Sequence, residues 1–590
     1  MRGGCDTLFY PFWILLSSVC LESISLYPVK NVHAYALQLQ SQSAGTHLQE
    51  KSISVRRRQS NSQAFNSSET HEHFLAALDT MQHQYFNGCT WPAAIDWTAA
   101  VTQTYLASAM ITLSSATPYQ VLAGGARNLE GSAASTEALI ERYFKQINNF
   151  YYAQHAQALT AEAYDDMQWV VLGWLEAIKF IDVHSQLHYQ EGRNASGDYL
   201  GKSRISDFAH RARLFYDLAS QGYSTTLCGG GMDWNPNELP YKNAITNELY
   251  IASSVGMYLY FPGDDNPSPS FIVNSSSSCT DPTAPFVTGG ANATVPLQPV
   301  KARDPVYLNN AVKTFDWLTG INMTNTAALY TDGFHISNYN ATIGPSRNDK
   351  CDQRDEALYS YNQGVFLSGI RGLWEATSNE TYLNYGHNLI NATITSTGYF
   401  NNSCGAFGCA GILADTCDAP GNCSQDAQTF KGAYFHHLML FCSPLLYGSS
   451  TAALDTQHAQ LCANYTGWIE RNAAAAFSTR NATGNYGMWW GPFNSSLGSV
   501  ATGSFGVNRW SAPHQPEGAV DYRNDARILS NMPWGKQNFH GSTYEGGMRR
   551  VEVNGTGGDV NDRGRGRTVE TQGGAVALFN ALLAVSKRVE

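Results

Sequence analysis

Apolar residues recur at three- and four-residue spacing along most of the chain, and connections rich in Gly, Asn, Ser and Pro separate these stretches. In one stretch, Leu172, Leu175, Ile178 and Val183 fall on one side of a helix. About a dozen such stretches begin near Ser68, Ala94, Ser135, Tyr164, Arg204, Asn243, Pro305, Arg354, Glu380, Asp426, Thr451 and Gln572. Alternating runs typical of strands are few. The pattern predicts an all-α protein whose helices pair around a closed ring.

Two segments interrupt this pattern. Residues 262–299 are rich in Pro, Ser and Asn, and residues 477–567 are rich in Gly, Asn and Trp and too long for an ordinary connection. Neither composition resembles a linker between two cores. We therefore expect residues 62–590 to form a single domain with surface insertions at about 262–300 and 477–567.

The N-terminus has the pattern of a secretory signal. Arg2 precedes an apolar run from Leu8 to Cys20, and Ala34-Tyr35-Ala36 offers small residues for cleavage, so residues 1–36 are predicted to be a signal peptide. Arg56-Arg57-Arg58 is a second candidate cleavage site, which would remove a pro-segment to about residue 58; the alternative is an uncut tail. No other segment has the roughly 18 uninterrupted apolar residues expected of a membrane span.

Composition narrows the class of partner. Among 590 residues the formal net charge is −11, charged residues make up only 14% and aromatics 12%. An acidic chain is a poor match for nucleic acid or an anionic membrane, whereas aromatic side chains can stack on uncharged sugars. The basic run from Arg563 to Arg567 is interrupted by glycines and favours a solvated loop.

Cysteines and glycosylation sequons agree with a secretory location. Of 12 cysteines, Cys5 and Cys20 fall in the signal region, and the even set that remains favours disulfides over a zinc site. N-x-S/T sequons, which predict N-linked glycans on surface loops, occur at Asn66, Asn194, Asn274, Asn292, Asn322, Asn340, Asn379, Asn391, Asn401, Asn422, Asn464, Asn481, Asn494 and Asn554.

The segment Tyr164-Asp165-Asp166-Met167-Gln168-Trp169 carries the strongest chemical signal. Cleavage of a glycosidic bond uses two carboxyl groups, one of which is protonated to donate to the leaving oxygen. Adjacent carboxylates repel each other's ionisation, so Asp165 and Asp166 can take different roles. The alternative is that both only favour the first turn of a helix, where acidic residues are common.

Two downstream segments offer sugar-binding groups. In Cys228 to Pro236, three consecutive glycines would let the backbone approach a ligand, and Trp234 offers a flat ring; a tight turn with a core tryptophan is the alternative. In the second segment, Asn243 and Asn247 are four residues apart and share a helix face beside Lys242, a donor-rich edge suited to hydroxyl groups. Helix capping by Asn243 is the alternative there.

Two further segments lie in helical patterns. Tyr361-Asn362-Gln363-Gly364 combines an aromatic ring with two amides, and Phe430-Lys431-Gly432 precedes the adjacent His436 and His437. Neighbouring residues on a helix point about 100° apart, so the histidines do not favour a metal site. We expect neither a metal nor a cofactor.

In this order, these segments resemble the endo-α-1,6-mannanases of glycoside hydrolase family 76, above all the secreted fungal members. The similarity runs from about Trp91 to about Tyr465, and Met488 to Phe493 and the last helix belong with it. The resemblance implies an (α/α)6 barrel of the six-hairpin glycosidase type with long surface-loop insertions. It also implies a retaining mechanism with Asp165 as nucleophile and Asp166 as general acid/base.

The resemblance further implies an extracellular enzyme that hydrolyses internal α-1,6-mannosidic linkages of α-mannan, with attachment to the cell wall as an open alternative. Two alternatives remain open at this point: a cell-wall transglycosylase that uses the same aspartates, and a non-catalytic mannan-binding protein. The expected substrate-binding residues are two rings that stack on sugars and five side chains that bind hydroxyls: Trp234 and Tyr361, then Lys242, Asn243, Asn247, Asn362 and Gln363.

Overall fold

The computed structural model describes residues 65–122, 126–189, 198–273, 279, 284–287, 295–339, 348–444, 452–491, 519 and 559–586. The predicted signal peptide and pro-segment lie outside the described residues. So do parts of the first predicted insertion and most of the second. Both boundaries of the expected single domain therefore remain predictions.

The described residues contain fourteen α-helices, and all except the four-residue α4 have at least 12 residues. In chain order they are α1 (Ser67–Tyr85), α2 (Asp96–Ala116), α3 (Gly131–Ala153), α4 (Ala156–Leu159), α5 (Tyr164–His188), α6 (Ile205–Ser220), α7 (Ala244–Tyr260), α8 (Pro305–Gly320), α9 (Ser360–Thr377), α10 (Thr381–Ser396), α11 (Gln425–Cys442), α12 (Ala452–Ala463), α13 (Thr466–Ser478) and α14 (Val569–Ser586).

Several helices begin at local capping signals. The Asn66 side chain accepts a hydrogen bond from Glu69 N–H at 2.9 Å, and the Glu69 carboxylate accepts one from Asn66 N–H, a capping box at the start of α1. Ser424 caps α11 in the same way, through Ala427 N–H at 3.2 Å. Such signals depend only on neighbours in sequence, which is why most helix starts were predictable to within a few residues.

Two helix predictions need correction. The helix expected near Arg354 begins only at Ser360, because residues 353–355 pair as a strand. Helix α13 was not predicted at all. Both differences arise from pairing or packing with distant parts of the chain.

Six helices, α2, α5, α7, α9, α11 and α14, form an inner ring in which each packs on the next and α14 packs back on α2. Neighbours run parallel: Thr98, near the start of α2, donates to Glu570 near the start of α14, and Gln103 reaches Gly173 in the middle of α5. At the other end, Ser114 of α2 lies 2.9 Å from His184 of α5. All six N-termini therefore lie at one end of the ring, which we call the mouth.

A second layer lies outside this ring. Helices α1 and α13 pack on α14, α3 packs on α2, α6 on α5, α8 on α7, and α10 on α9. Six parallel inner helices wrapped by outer helices make an (α/α)6 barrel, which confirms the predicted fold class.

The inner helices approach closely where glycines replace larger side chains. A Cβ atom on Gly432 of α11 would lie only 2.8 Å from the Cα of Gly574 in α14. This contact joins the last two helices of the ring.

The described residues also contain short strands. They are β1 (Tyr241–Asn243), β2 (Gly263–Asp264), β3 (Ser270–Val273), β4 (Ala284–Val287), β5 (Val300–Lys301), β6 (Gly333–His335), β7 (Gln353–Asp355), β8 (Cys404–Gly405), β9 (Gly408–Cys409) and β10 (Ile412–Leu413). The antiparallel sheet β1–β6–β7 matters for function because β1 leads directly into α7 at the mouth. Strands β2–β5 and β3–β4 form two pairs within the first predicted insertion.

Disulfides are confirmed. The bonded pairs are Cys89–Cys279, Cys228–Cys351, Cys404–Cys409, Cys417–Cys423 and Cys442–Cys462. Among the described helices, none is both long and apolar enough to cross a membrane.

The arginine run corrects the prediction of a solvated loop. The Arg567 side chain is only 4% exposed and forms ion pairs with Asp559 and Asp562. It also donates to the Thr479 carbonyl at 2.8 Å. Arg567 thus fastens the segment before α14 to the end of α13.

Candidate active site

Asp165 and Asp166 lie in the first turn of α5, at the mouth. Their side chains are 2% and 9% exposed, respectively. Unpaired backbone N–H groups at a helix N-terminus favour negative charge, and six parallel inner helices bring six such termini to this end. The first turn of α5 is therefore a favourable place for two buried carboxyl groups.

Local contacts hold this turn in place. The Ala163 N–H donates to Asp166 Oδ2 at 3.2 Å, which orients that carboxylate. The Tyr164 N–H donates to the Trp234 carbonyl at 2.8 Å, which ties the start of α5 to the glycine-rich segment. The Asp166 side chain therefore takes part in capping α5, as the alternative interpretation expects.

Glu162 is an acidic neighbour that the sequence analysis missed. Burial raises the pKa of Glu162 to about 8, helped by the negative charges of Asp96, Asp426 and Asp165. Near neutral pH this carboxyl is mostly protonated beside the Asp pair. Its position just before a helix that begins with two aspartates was the only available signal.

A pair of tryptophans lies beside these acids. The rings of Trp97 in α2 and Trp169 in α5 are 5.8 Å apart and nearly parallel. Trp97 Nε1 donates to Asp426 Oδ1 at 2.9 Å. Three inner helices, α2, α5 and α11, are thereby joined at the mouth.

The glycine-rich segment has a structural explanation. Gly230 and Gly231 have φ values of 147° and 80°, and a Cβ on either would lie within 2.8 Å of the Trp317 ring of α8. The glycines accommodate Trp317, so the expectation that they open the backbone to a ligand is not supported by this packing.

Lys242 and Asn247 form hydrogen bonds to the same glycine-rich segment. Lys242 is fully buried, and its Nζ donates to the Gly231 carbonyl at 2.6 Å and lies 3.2 Å from Asp233 Oδ1. The Asn247 amide accepts from Met232 N–H at 2.7 Å and donates to the Met232 carbonyl at 3.2 Å. Their contacts favour positioning of the loop over direct contact with sugar hydroxyls.

Asn243 and Trp234 also make their contacts within the protein. Asn243 caps α7 by accepting from Thr246 N–H at 3.3 Å, so the capping alternative describes it. The Trp234 ring is 8% exposed and meets the Tyr241 ring edge-on at 6.4 Å. Tyr241 in turn donates to Asp332 at 2.6 Å, so this small cluster links α5 to the β1–β6–β7 sheet.

The three residues of α9 that were predicted to bind substrate, Tyr361, Asn362 and Gln363, differ in their contacts. The Tyr361 ring stacks on Phe430 at 4.0 Å, and the Gln363 amide bonds to both the N–H and the carbonyl of Tyr330. Asn362 is fully buried, and neither amide atom has a hydrogen-bond partner among the described residues. Asn362 is therefore the predicted binding residue whose polar atoms remain uncommitted.

Glu248 in α7 has a similar environment. Its side chain is fully buried, and neither carboxyl oxygen has a partner within the described part of the chain. Burial and the nearby charge of Asp332 raise its pKa well above the ordinary value. Buried polar groups without partners are rare in folded proteins and often mark functional positions.

The contacts of Lys431 account for its place in the Phe430-Lys431-Gly432 segment. Its Nζ forms an ion pair with buried Asp418 and donates to the Met488 carbonyl at 2.6 Å. Nearby, Asp415 accepts hydrogen bonds from the N–H and hydroxyl of Ser360 at the start of α9. Burial and the charge of Asp418 raise the pKa of Asp415 to about 7. This network joins α9 and α11 at the mouth.

The histidines and cysteines that could bind a metal ion have other contacts within the protein. Burial lowers the pKa of His436 to about 3, and His437 Nδ1 lies 2.7 Å from the Ser368 hydroxyl. Within the described residues, two other clusters of potential ligands each contain cysteines, Cys462 in one and Cys417 with Cys423 in the other. Those sulfurs are in disulfides and cannot serve as thiolate ligands.

Residues 286–499 match the sequence model of Glycosyl hydrolase family 76. Over these residues the chain is similar to glycosyl hydrolase family 76. This match lies downstream of the Asp pair and includes the segments around Asn362 and Lys431. The predicted family is thus confirmed.

Similar sequences come from yeasts. The mannan endo-1,6-alpha-mannosidase DCW1 of Candida glabrata is 28% identical over 170 residues, which is 29% of this chain and 31% of that protein. DCW1 of Saccharomyces cerevisiae is 29% identical over 231 residues, 38% of this chain and 37% of that protein. The chain thus spans about a third of the length of these curated relatives.

Comparison with solved structures finds Dfg5 from Chaetomium thermophilum in complex with glucosamine, at 14% identity and a TM-score of 0.45, covering 88% of this chain and 91% of that one. The GH76A alpha-1,6-mannanase from Salegentibacter sp. HEL1_6 has 14% identity and a TM-score of 0.43, with coverage of 88% and 99%.

Proposed function

We propose that this family 76 protein is a secreted endo-acting glycoside hydrolase that cleaves α-1,6-mannosidic linkages in mannan with retention of configuration. The observation that carries the proposal is the pair of adjacent, buried aspartates in the first turn of an inner helix at the barrel mouth. Sequence similarity to mannan endo-1,6-alpha-mannosidases of yeasts supports the linkage.

The spacing of the pair supports retention. Neighbouring Cβ atoms on a helix are roughly 5–6 Å apart. Retaining glycosidases hold their carboxyl groups about 5–5.5 Å apart, whereas inverting enzymes leave about 6.5–9.5 Å for a water molecule. Consecutive positions on α5 therefore favour a nucleophile and an acid over a base that activates water.

The proposed reaction has two displacements. Asp166 donates its proton to the glycosidic oxygen while an Asp165 oxygen attacks the anomeric carbon, and the leaving sugar departs with that proton. Asp166 then accepts a proton from water, whose oxygen attacks the anomeric carbon and releases Asp165 as a carboxylate. The family resemblance supplies this order of roles, and the hydrogen bond from Ala163 orients Asp166 for it.

Surface sequons and disulfides support secretion. Asn379, Asn391, Asn401, Asn422 and Asn464 are all exposed, as acceptors of N-linked glycans must be. Five disulfides suit an oxidising compartment. These features support the proposed extracellular location.

The test is product analysis with defined α-1,6-, α-1,2- and α-1,3-linked manno-oligosaccharides. We expect internal cleavage of the α-1,6 series alone, with the α-anomer appearing first in proton NMR spectra. First appearance of the β-anomer would overturn the retaining mechanism, and release of single mannose units from chain ends would overturn the endo mode. Longer or hybrid products with an added glycan acceptor would identify a transglycosylase. Binding without any cleavage would identify a mannan-binding protein.

A further inference from the structure

A pocket at the rim of the mouth lies outside the Asp pair. It forms where residues 488–491 meet the segment that precedes α14, and Trp489, Arg563 and Arg565 contribute to its wall. Neither arginine has a role in the proposed reaction.

The two consecutive tryptophans of this segment face different ways. Trp490 is 6% exposed, and Lys431 lies 4.6 Å from its ring centre. Trp489 is only half-buried, and the Asn561 side chain fixes its backbone by accepting from Trp489 N–H at 2.8 Å. One indole thus anchors the segment while the other faces the pocket.

The guanidinium groups of Arg563 and Arg565 use only some of their N–H donors in hydrogen bonds to the described residues. Arg563 lies 5.6 Å from the Trp489 ring centre and donates to the carbonyls of Val560 and Ala419. Exposed Arg565 donates to Gln425 Oε1 at 2.5 Å. A guanidinium has five N–H donors, so both arginines retain several. Within the described part of the chain neither has a carboxylate partner, in contrast to Arg567 with Asp559 and Asp562.

The pocket has little competing negative charge of its own. Asp418 also lines it, but that carboxylate is paired with Lys431. Although the whole chain carries a net charge of −11, neither arginine has an acidic partner among the residues that the structure describes. An aromatic face beside free guanidinium donors matches a sugar ring that bears an anionic group.

The pocket belongs to the same rim as the Asp pair. Gln425, which accepts from Arg565, also donates to Glu570 and to the Ala93 carbonyl. The next residue, Asp426, bonds to Trp97 and contributes to the raised pKa of Glu162. The hydrogen bonds of Gln425 and Asp426 thus connect the arginine segment to residues beside the Asp pair.

We propose that Trp489, Arg563 and Arg565 form an accessory subsite for a sugar unit carrying a phosphate or carboxylate group. The sugar face would stack on Trp489 and the anion would accept hydrogen bonds from both guanidiniums. The proposal rests on the proposed function only for the expectation that the larger ligand is a glycan.

The test measures binding to the full secreted protein, without turnover, by isothermal titration calorimetry. The probes are mannose 6-phosphate, glucuronic acid, mannose and inorganic phosphate. We expect mannose 6-phosphate or glucuronic acid to bind at least about tenfold more tightly than mannose, since hydrogen bonds to a charged group are stronger than those between neutral groups. Whichever acid binds better identifies the anion.

Arg565→Gln should weaken binding of the preferred acid about tenfold, and Trp489→Ala should weaken it while leaving inorganic phosphate unaffected. Exposed Lys145 on outer helix α3 supplies the control, because Lys145→Gln removes the same charge far from the pocket. Arg563→Lys tests the second arginine while keeping its charge, which guards against loss of the fold.

Equal binding of charged and neutral sugars, or equal weakening by Arg565→Gln and Lys145→Gln, would overturn the subsite. Failure of the proposed function shows up separately, as absence of reducing ends from neutral α-1,6-mannan with the unaltered protein. The two failures are therefore distinguishable.

Discussion

The two ends of helix α5 differ in how well their polar groups are satisfied. At its far end from the mouth, buried Glu137 of α3 accepts hydrogen bonds from the hydroxyls of Tyr119 and Tyr189, both at 2.5 Å, and faces His184 at 3.4 Å. At the mouth, Asn362 and Glu248 are buried without partners among the described residues.

The pKa values of buried carboxyl groups at the two ends are shifted in opposite directions. Burial alone would raise the pKa of Glu137, but its contacts with His184, Tyr119 and Tyr189 lower it below the ordinary value. Burial and neighbouring acids raise the pKa of Glu162 at the mouth to about 8. Among the described residues, Glu137 at the far end has hydrogen-bond partners, whereas Asn362 and Glu248 at the mouth have none; unsatisfied buried groups of this kind are typical of binding and catalytic sites.

The largest expected effect is on turnover. Asp165→Asn and Asp166→Asn should each lower kcat/KM on an α-1,6-manno-oligosaccharide about 10³-fold, because each removes a carboxyl group used directly in bond cleavage. The melting temperature should change little. Asp207 is in the first turn of outer helix α6, so Asp207→Asn is a matched control that should keep activity. Substantial activity in either catalytic-pair variant would show that its role is misassigned.

At the far end the expected effect is on stability. Glu137→Gln should destabilise the protein by about 3 kcal/mol, because His184 and two tyrosine hydroxyls lose a buried charged partner. Thermal melting followed by circular dichroism would measure it, with kcat/KM unchanged at a temperature where the variant is folded. The control is Glu141→Gln, one helical turn along and exposed. Lost activity with unchanged melting would contradict the division between the two ends.

Lys242 tests whether the mouth residues bind sugar or position the loop. Lys242→Met should lower stability by about 2 kcal/mol and reduce activity, since the Gly231 carbonyl and Asp233 lose a buried partner. A direct contact to a sugar hydroxyl would instead raise KM and leave melting unchanged. Exposed Lys301 provides the control Lys301→Met, for which we expect neither effect.

The smallest effect concerns Glu162. Its pKa is raised in the folded protein, so its contribution is most favourable at low pH and is lost as pH rises through about 8. Glu162→Gln should therefore melt at a higher temperature than the unaltered protein at pH 9, with a smaller difference at pH 5. Melting curves across this range would measure the change. A larger benefit at pH 5 than at pH 9 would show that Glu162 is not protonated beside the Asp pair.

Local sequence predicted much of the fold and the position of the Asp pair. Apolar spacing and capping signals depend on near neighbours, and the start of α5 was predicted at Tyr164, where it begins. The roles of Lys242, Asn247 and Gln363 were harder, because their donors are used by carbonyl groups 11 to 33 residues away. A donor-rich helix face looks the same whether it meets a sugar or the protein's own backbone.

Glu162 and Glu248 were missed for a related reason. Each is an ordinary acidic residue in sequence, and only burial beside other acids makes it unusual. That environment exists only after several inner helices have come together.

Closure of the inner ring has a consequence for biosynthesis. Helix α14 completes the ring by packing on α2, and the Thr98–Glu570 hydrogen bond joins residues 472 positions apart in the chain. A nascent chain emerging from the ribosome therefore exposes one flank of α2 and one of α11 until α14 has been synthesised. Contacts of such long range form slowly and leave apolar surface open to aggregation meanwhile. Chaperones would have to shield that gap until α14 arrives.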